Sequence, residues 1–143
     1  MTTTHHREAP LSVIATPPTR PFWQALDKGR FVVQRCSDCG AHQFYPGPLC
    51  RSCWCDDLAW VEPSGKGPVW TFTVARRPAH PHWSDQVPYV IADVELDEGP
   101  RLTTNVVGCD PSEVHVGRRV TAAFDTEVPG RPLLQSTLPQ EEG

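Results

Sequence analysis

Apolar and polar residues alternate along short stretches of this chain, and turn residues separate the stretches. From Val69 to Ala75 the alternation is strict. Trp70, Phe72 and Val74 share one face, and Val69, Thr71 and Thr73 the other. That period of two marks a strand with one side buried, which places Trp70 and Phe72 in a core. A second strand is expected from Pro88 to Leu96, with Val90, Ala92, Val94 and Leu96 pointing one way. Asp97 to Pro100 reads as a hairpin turn, and Arg101 to Val107 as a third strand. Arg118 to Thr126 and Arg131 to Ser136 supply a fourth and a fifth, joined by a turn at Pro129-Gly130. Between the third and fourth, Asp110-Pro111-Ser112-Glu113 has Asp at the cap, Pro at the first position and Glu three residues on, which starts one helical turn. Five short strands with a helical turn between the third and fourth follow the plan of an OB-fold barrel. A fragment of a β-sandwich is the alternative.

The first half reads differently. Residues Met1 to Thr19 are rich in Thr and Pro and have no period, as in a mobile tail. A short helix is expected from Pro21 to Lys28, with Gly29 as its stop and Phe22, Trp23 and Leu26 on one side. Two turns are not stable alone, so that side must pack on the chain itself or on a partner. Phe31 to Arg35 and Leu58 to Glu62 read as strands, and Ala41 to Tyr45 as a third, turned by Pro46-Gly47-Pro48. Pro63 to Gly67 reads as a hinge. The whole is mainly β. Residues 1–19 form a flexible tail, 20–62 a helix with a small metal-binding ribbon, 63–138 the barrel, and 139–143 a second tail.

The ribbon carries the strongest chemical signal. Cys36 and Cys39 form one Cys-x2-Cys pair, and Cys50 and Cys53 another, ten residues later. Each pair turns the backbone so that both sulfurs face one ion, and two pairs make the closed tetrahedron of a structural zinc site. Gly40 follows the first pair, where the turn calls for positive φ. The same four sulfurs suit rubredoxin-type iron, and two disulfides would use them in an oxidising compartment. Cys55 is a spare thiol that could replace Cys53. His42 lies off the paired spacing and reads as an ordinary polar residue.

Composition narrows the function. The chain has 143 residues, of which 16 are proline, and no apolar run long enough to span a membrane. Its start lacks the features of a signal peptide, so a reducing cytoplasm is the expected setting. From Arg20 to Arg77 there are eight Lys/Arg against five Asp/Glu; from Pro78 to Gly143 there are four against eleven. An acidic barrel argues against single-stranded nucleic acid as its ligand. No nucleophile elbow, phosphate loop or dinucleotide fingerprint is present. Zinc held by four thiolates keeps no position for water, and His80 and His82 lie in a Pro-rich loop with no nucleophile beside them, so no catalytic residue is assigned. Cys109 reads as a structural thiol. Phe22, Trp23, Leu26, Phe44, Tyr45 and Trp54 crowd the small metal module and are candidate partner contacts. Arg30, Arg35 and Arg51 could rim that surface, meet a phosphate, or offset the thiolate charge.

The order of these features resembles a known family, the acyl-CoA-associated proteins with a rubredoxin-like zinc ribbon before an OB-fold, formerly domain-of-unknown-function family thirty-five. The matching stretches are Phe22-Trp23-Gln24-Ala25-Leu26 with Gly29, Gln34 to Gly40, Phe44-Tyr45-Pro46 with Cys50 and Cys53, Trp60-Val61-Glu62 with Gly65-Lys66-Gly67, Val87 to Val90, and Glu95 to Leu102. They run from about Thr19 to Ser136. Cys55 departs from the usual ribbon pattern. The resemblance implies a non-catalytic subunit that binds and stabilises a thiolase-like enzyme acting on acyl-CoA, including retro-aldol cleavage of steroid side chains. It implies a hetero-oligomer, a heterotetramer, in which the helix and ribbon dock on the partner and the ribbon–barrel junction helps shape the CoA channel; Arg30, Arg35 and Arg51 are candidate contacts to CoA phosphates. A free-standing acyl-CoA binder and a subunit of a hot-dog-fold enoyl-CoA hydratase are the alternatives it leaves open.

Overall fold

The computed structural model describes residues 15–125 and 133–139. It opens with a helix, α1 (Arg20–Asp27), that has Pro21 in its first turn. Three strands follow: β1 (Val33–Cys36), β2 (His42–Gln43) and β3 (Leu58–Val61). They form an antiparallel sheet with β1 in the middle, Gln34 opposite Gln43 on one side and Trp60 on the other.

The rest is a closed five-stranded barrel, as the alternation pattern led us to expect. Its strands are β4 (Lys66–Ala75), β5 (Tyr89–Glu95), β6 (Arg101–Val107), β7 (Arg119–Asp125) and β8 (Leu133–Thr137), in the order β4-β5-β6-β8-β7. Strand β8 runs parallel to β6 and antiparallel to β7, and β7 closes on β4. This is the OB-fold arrangement. The helical turn falls at Pro111–Glu113, between β6 and β7. The Asp110 carboxylate accepts the Ser112 N–H and the Glu113 carboxylate accepts the Asp110 N–H, both at 2.9 Å. The turn expected at Pro129-Gly130 and the ends of both tails lie outside the described residues.

Three expectations change. The Pro63–Gly67 stretch is taken up by the barrel from Lys66 onward, with Gly67 paired to Val120. Trp70 is not in the core. A bulge between Val69 and Thr71 adds a residue to β4, so Val69 faces Val94 inside while Phe72 and Val74 also point inward. An extra residue reverses the alternation. It leaves Trp70 half exposed, with the Arg101 guanidinium 3.8 Å over its ring. Finally, Phe22 and Leu26 of α1 are buried at 6% and 3% exposure. They join Phe31 and Val33 of the ribbon and Val69, Val90, Val94 and Val120 of the barrel in one apolar cluster. Helix, ribbon and barrel therefore share a core.

Gly67 is the tightest point inside the barrel, where β4 meets the end of β5. A Cβ there would lie 2.0 Å from the Glu95 carbonyl oxygen, which is backbone and cannot move aside. Gly67→Ala should therefore open the start of β4 and destabilise the fold by about 2 kcal/mol or more, read as a lower denaturant midpoint.

Candidate metal centre and the surface around it

The ends of β1 and the two tight turns bring Cys36, Cys39, Cys50 and Cys53 together. Their sulfurs all lie within 4.8 Å of one another. The Cys36–Cys53 and Cys39–Cys50 separations are 3.5 and 3.6 Å. Tetrahedral zinc with metal–sulfur bonds of ~2.3 Å needs sulfurs about 3.8 Å apart, so the four fit with slight adjustment. The two turns repeat one backbone design. The Gly40 N–H donates to the Cys36 carbonyl and the Trp54 N–H to the Cys50 carbonyl, each at 2.9 Å. The Cys39 N–H donates to the Cys36 sulfur and the Ser52 N–H to the Cys50 sulfur, each at 3.4 Å.

These donors sort the thiols. The Cys39 N–H draws Cys36 below the ordinary thiol range, and the N–H groups of Cys53 and Ser52 bring Cys50 down to about 6. Cys39 goes the other way: the Ala41 N–H lowers it, but burial and the Cys50 thiol raise it more. At Cys53 the Cys55 N–H is outweighed by the Cys36 thiol, burial, and the thiols of Cys39 and Cys50, which push it up to about 12. Negative sulfurs this close repel, so full ionisation calls for a cation among them. A site of four thiolates has no open position, and it can hold a fold together but not activate water.

Cys55 is outside the four-sulfur group. Its sulfur accepts the Asp57 N–H at 3.4 Å, and its carbonyl accepts the Cys50 N–H at 2.9 Å. Cys109 is half-buried against the shared core, where burial raises its thiol. His80 is exposed in the loop between β4 and β5.

The aromatic residues divide. Phe22 and Leu26, expected on a partner face, are packed inside because two turns of helix need the core to stay folded. Trp23 and Phe44 are half-buried beside them, with Phe22 and Trp23 edge-to-face at 4.8 Å. Tyr45 and Trp54 are exposed at 55% and 76%, with Leu49 at 39%. Of the arginines, Arg30 pairs with Glu62, Arg35 is exposed beside the first knuckle, and Arg51 donates to the Tyr45 carbonyl.

Two buried glutamines hold the exposed arm, and the sequence reading passed them over. The Gln34 side chain accepts the Gly47 N–H and donates to the Gly47 carbonyl, both at 2.9 Å. Gln43 donates to Gln34 at 2.8 Å and to the Leu49 carbonyl at 3.1 Å, and accepts the Arg51 N–H at 3.0 Å. A polar residue on each of two adjacent short strands, before a proline turn, was the available signal. Trp54 was also missed as a backbone outlier. Its φ is +67°, and Gly40 at the same place in the first turn has φ +76°. That conformation costs a side-chain-bearing residue about 1–2 kcal/mol.

Two family models match the chain. The ChsH2 rubredoxin-like zinc ribbon domain matches residues 23–59 and the ChsH2 C-terminal OB-fold domain residues 60–125. A probable enoyl-CoA hydratase alpha subunit of Thermomonospora curvata is 40% identical over 125 residues, covering 85% of this chain. A DUF35 domain-containing scaffold protein of Methanocaldococcus jannaschii is 38% identical over 91 residues, covering 63% of this chain. The chain spans 38% of the length of the first and 64% of the second. Among solved structures, a chain of the Ltp2-ChsH2(DUF35) aldolase superposes with a TM-score of 0.79 at 34% identity, covering 89% of this chain and 98% of that one.

Replacing Cys36 or Cys50 with Ser should abolish metal retention and unfold the ribbon, because such modules take their stability from the ion. Cys55→Ser should leave the metal content unchanged; elemental analysis of the purified variants decides both. Gln43→Ala should strand the Arg51 N–H and the Leu49 carbonyl, and cost about 2–4 kcal/mol in denaturant unfolding with the metal still bound.

Proposed function

The chain belongs to the ChsH2 family of DUF35 proteins, a rubredoxin-like zinc ribbon joined to an OB-fold, and on that premise we propose that it is a non-catalytic subunit that binds and stabilises a thiolase-superfamily enzyme acting on acyl-CoA. Its metal is structural zinc, held by Cys36, Cys39, Cys50 and Cys53. The enzyme is of the thiolase or steroid side-chain retro-aldolase type, and the two chains form a hetero-oligomer in the cytoplasm. The observation that carries this reading is the likeness to a chain of a two-protein aldolase over 98% of that chain's length. The relatives named as scaffold proteins agree with it. So does the metal site, whose four thiolates hold structure and leave no place for a substrate.

The surface fits such a role. The ribbon exposes Tyr45, Leu49 and Trp54 around its second cysteine turn. Trp and Tyr are favoured anchors in protein interfaces. Arg35 and Arg51 stand near the cysteine turns, where they would meet the phosphates of CoA at the border of a shared channel. Arg30 is engaged by Glu62 and is the weaker of the three for that purpose.

A second reading has its own observation. The match to a hydratase alpha subunit covers 38% of that protein, so a chain like this one forms part of a longer hydratase subunit there. On this reading the partner is an enoyl-CoA hydratase.

Co-expression with a thiolase-superfamily aldolase from the same organism should yield a complex that survives gel filtration and an enzyme more soluble and more active than without it. Failure to form that complex, with complex formation and activity gained on a hydratase instead, would favour the second reading. Tight calorimetric binding of acyl-CoA by the isolated chain would point to a free-standing binder.

A further inference from the structure

We propose that Trp54 is the anchor by which the second cysteine turn docks on the partner enzyme, an inference that rests on the accessory-subunit reading above. The two turns are alike in backbone and unlike in what flanks them. Cys36 and Cys39 lie between Arg35 and Gly40; Cys50 and Cys53 lie between Leu49 and Trp54. Both final positions have positive φ and donate the same 2.9 Å hydrogen bond. Glycine meets that geometry without steric cost. Tryptophan does not, and 76% of it is exposed, so burial within its own chain returns little. A residue that costs the free chain stability in its backbone, without being buried, is explained by a contact made in the complex.

The neighbours give the contact its character. Leu49 and Tyr45 are exposed on the same arm, and the Gln34–Gln43 pair fixes the backbone between them at Gly47 and Leu49. An arm held in place loses little entropy on docking. Arg51 lies inside the turn, and its guanidinium donates to the Tyr45 carbonyl, which ties the turn to the arm. The partner surface that fits is an apolar pocket wide enough for a flat ring, with an acceptor for the indole N–H. The occupant is the enzyme subunit, since the matched chain comes from an assembly of two different proteins.

The test uses the zinc-loaded full chain and a thiolase-superfamily aldolase from the same organism, with affinity by calorimetry and thermal midpoint by scanning calorimetry. Trp54→Gly should keep its zinc, raise the midpoint of the free chain by roughly 2–6 °C and weaken binding roughly thirtyfold or more. Trp54→Phe should keep the original midpoint and bind with an affinity between those of the unaltered chain and Trp54→Gly, since the ring remains and the indole N–H is lost. A residue serving only the fold would give a lower midpoint in Trp54→Gly and no selective loss of binding. If the unaltered chain binds and Trp54→Gly binds equally well, the anchor assignment is wrong and the accessory reading stands. If the unaltered chain does not bind, both fall. A homodimer of the free chain that Trp54→Gly dissolves would overturn the assignment in favour of self-association.

Discussion

Four sulfurs within 4.8 Å of one another repel as they ionise, and a cation among them removes that repulsion. The ribbon depends on this. Its strands have four, two and four residues, too few to hold a sheet by ladder hydrogen bonds. A metal ion held by the four sulfurs would close the loops that those strands leave open. With the loops closed, β1 can lie between β2 and β3, and the buried pair Gln34 and Gln43 can reach across to the arm that carries Tyr45 and Leu49. Metal, glutamine pair and exposed arm are links of one chain of contacts.

The barrel depends on the ribbon less directly. Phe22, Leu26, Phe31 and Val33 sit in the same apolar cluster as Val69, Val90 and Val120. A five-stranded barrel of this size encloses a small core, and the helix and ribbon extend it from outside. Within the barrel, Gly67 of β4 permits a close approach to β5, with the Glu95 carbonyl where a side chain would otherwise stand. Loss of metal would consequently be felt beyond the ribbon, because the helix would lose the surface that keeps its two turns folded.

Much of this was legible in the residues. The cysteine spacing picked out the four sulfurs that the fold brings together, and the period-two stretches located the barrel strands to within a few residues. The capping box at Asp110 was readable because its hydrogen bonds are local. What could not be read was longer-ranged. A bulge leaves the composition of a strand unchanged, so Trp70 and Phe72 looked equivalent until one residue of slippage sent Trp70 to the surface. Phe22 and Leu26 resembled exposed anchors because the surface that covers them comes from elements far along the chain. The roles of Gln34 and Gln43 depend on contacts across a turn and do not follow from their types. Positive φ at Trp54 was hidden because a sequence suggests that geometry through glycine, and here the glycine is absent.

The exposed aromatics gain meaning from what the chain does bury. An overfull interior would leave large apolar residues outside for lack of room. Yet this chain places Phe22, Leu26 and Phe31 inside and packs Phe44 partly beside them. Tyr45 is the immediate neighbour of Phe44 and points outward, on a backbone that two buried side chains hold still. Exposure on a rigid arm differs from exposure on a frayed one, since the geometry is set before any partner arrives. The acidic balance lies in the other half of the chain, away from this surface in sequence, and the turn that carries Trp54 holds an arginine. A rigid arm with exposed aromatic side chains, on a module whose four sulfurs close around one point, is suited to recognising another polypeptide.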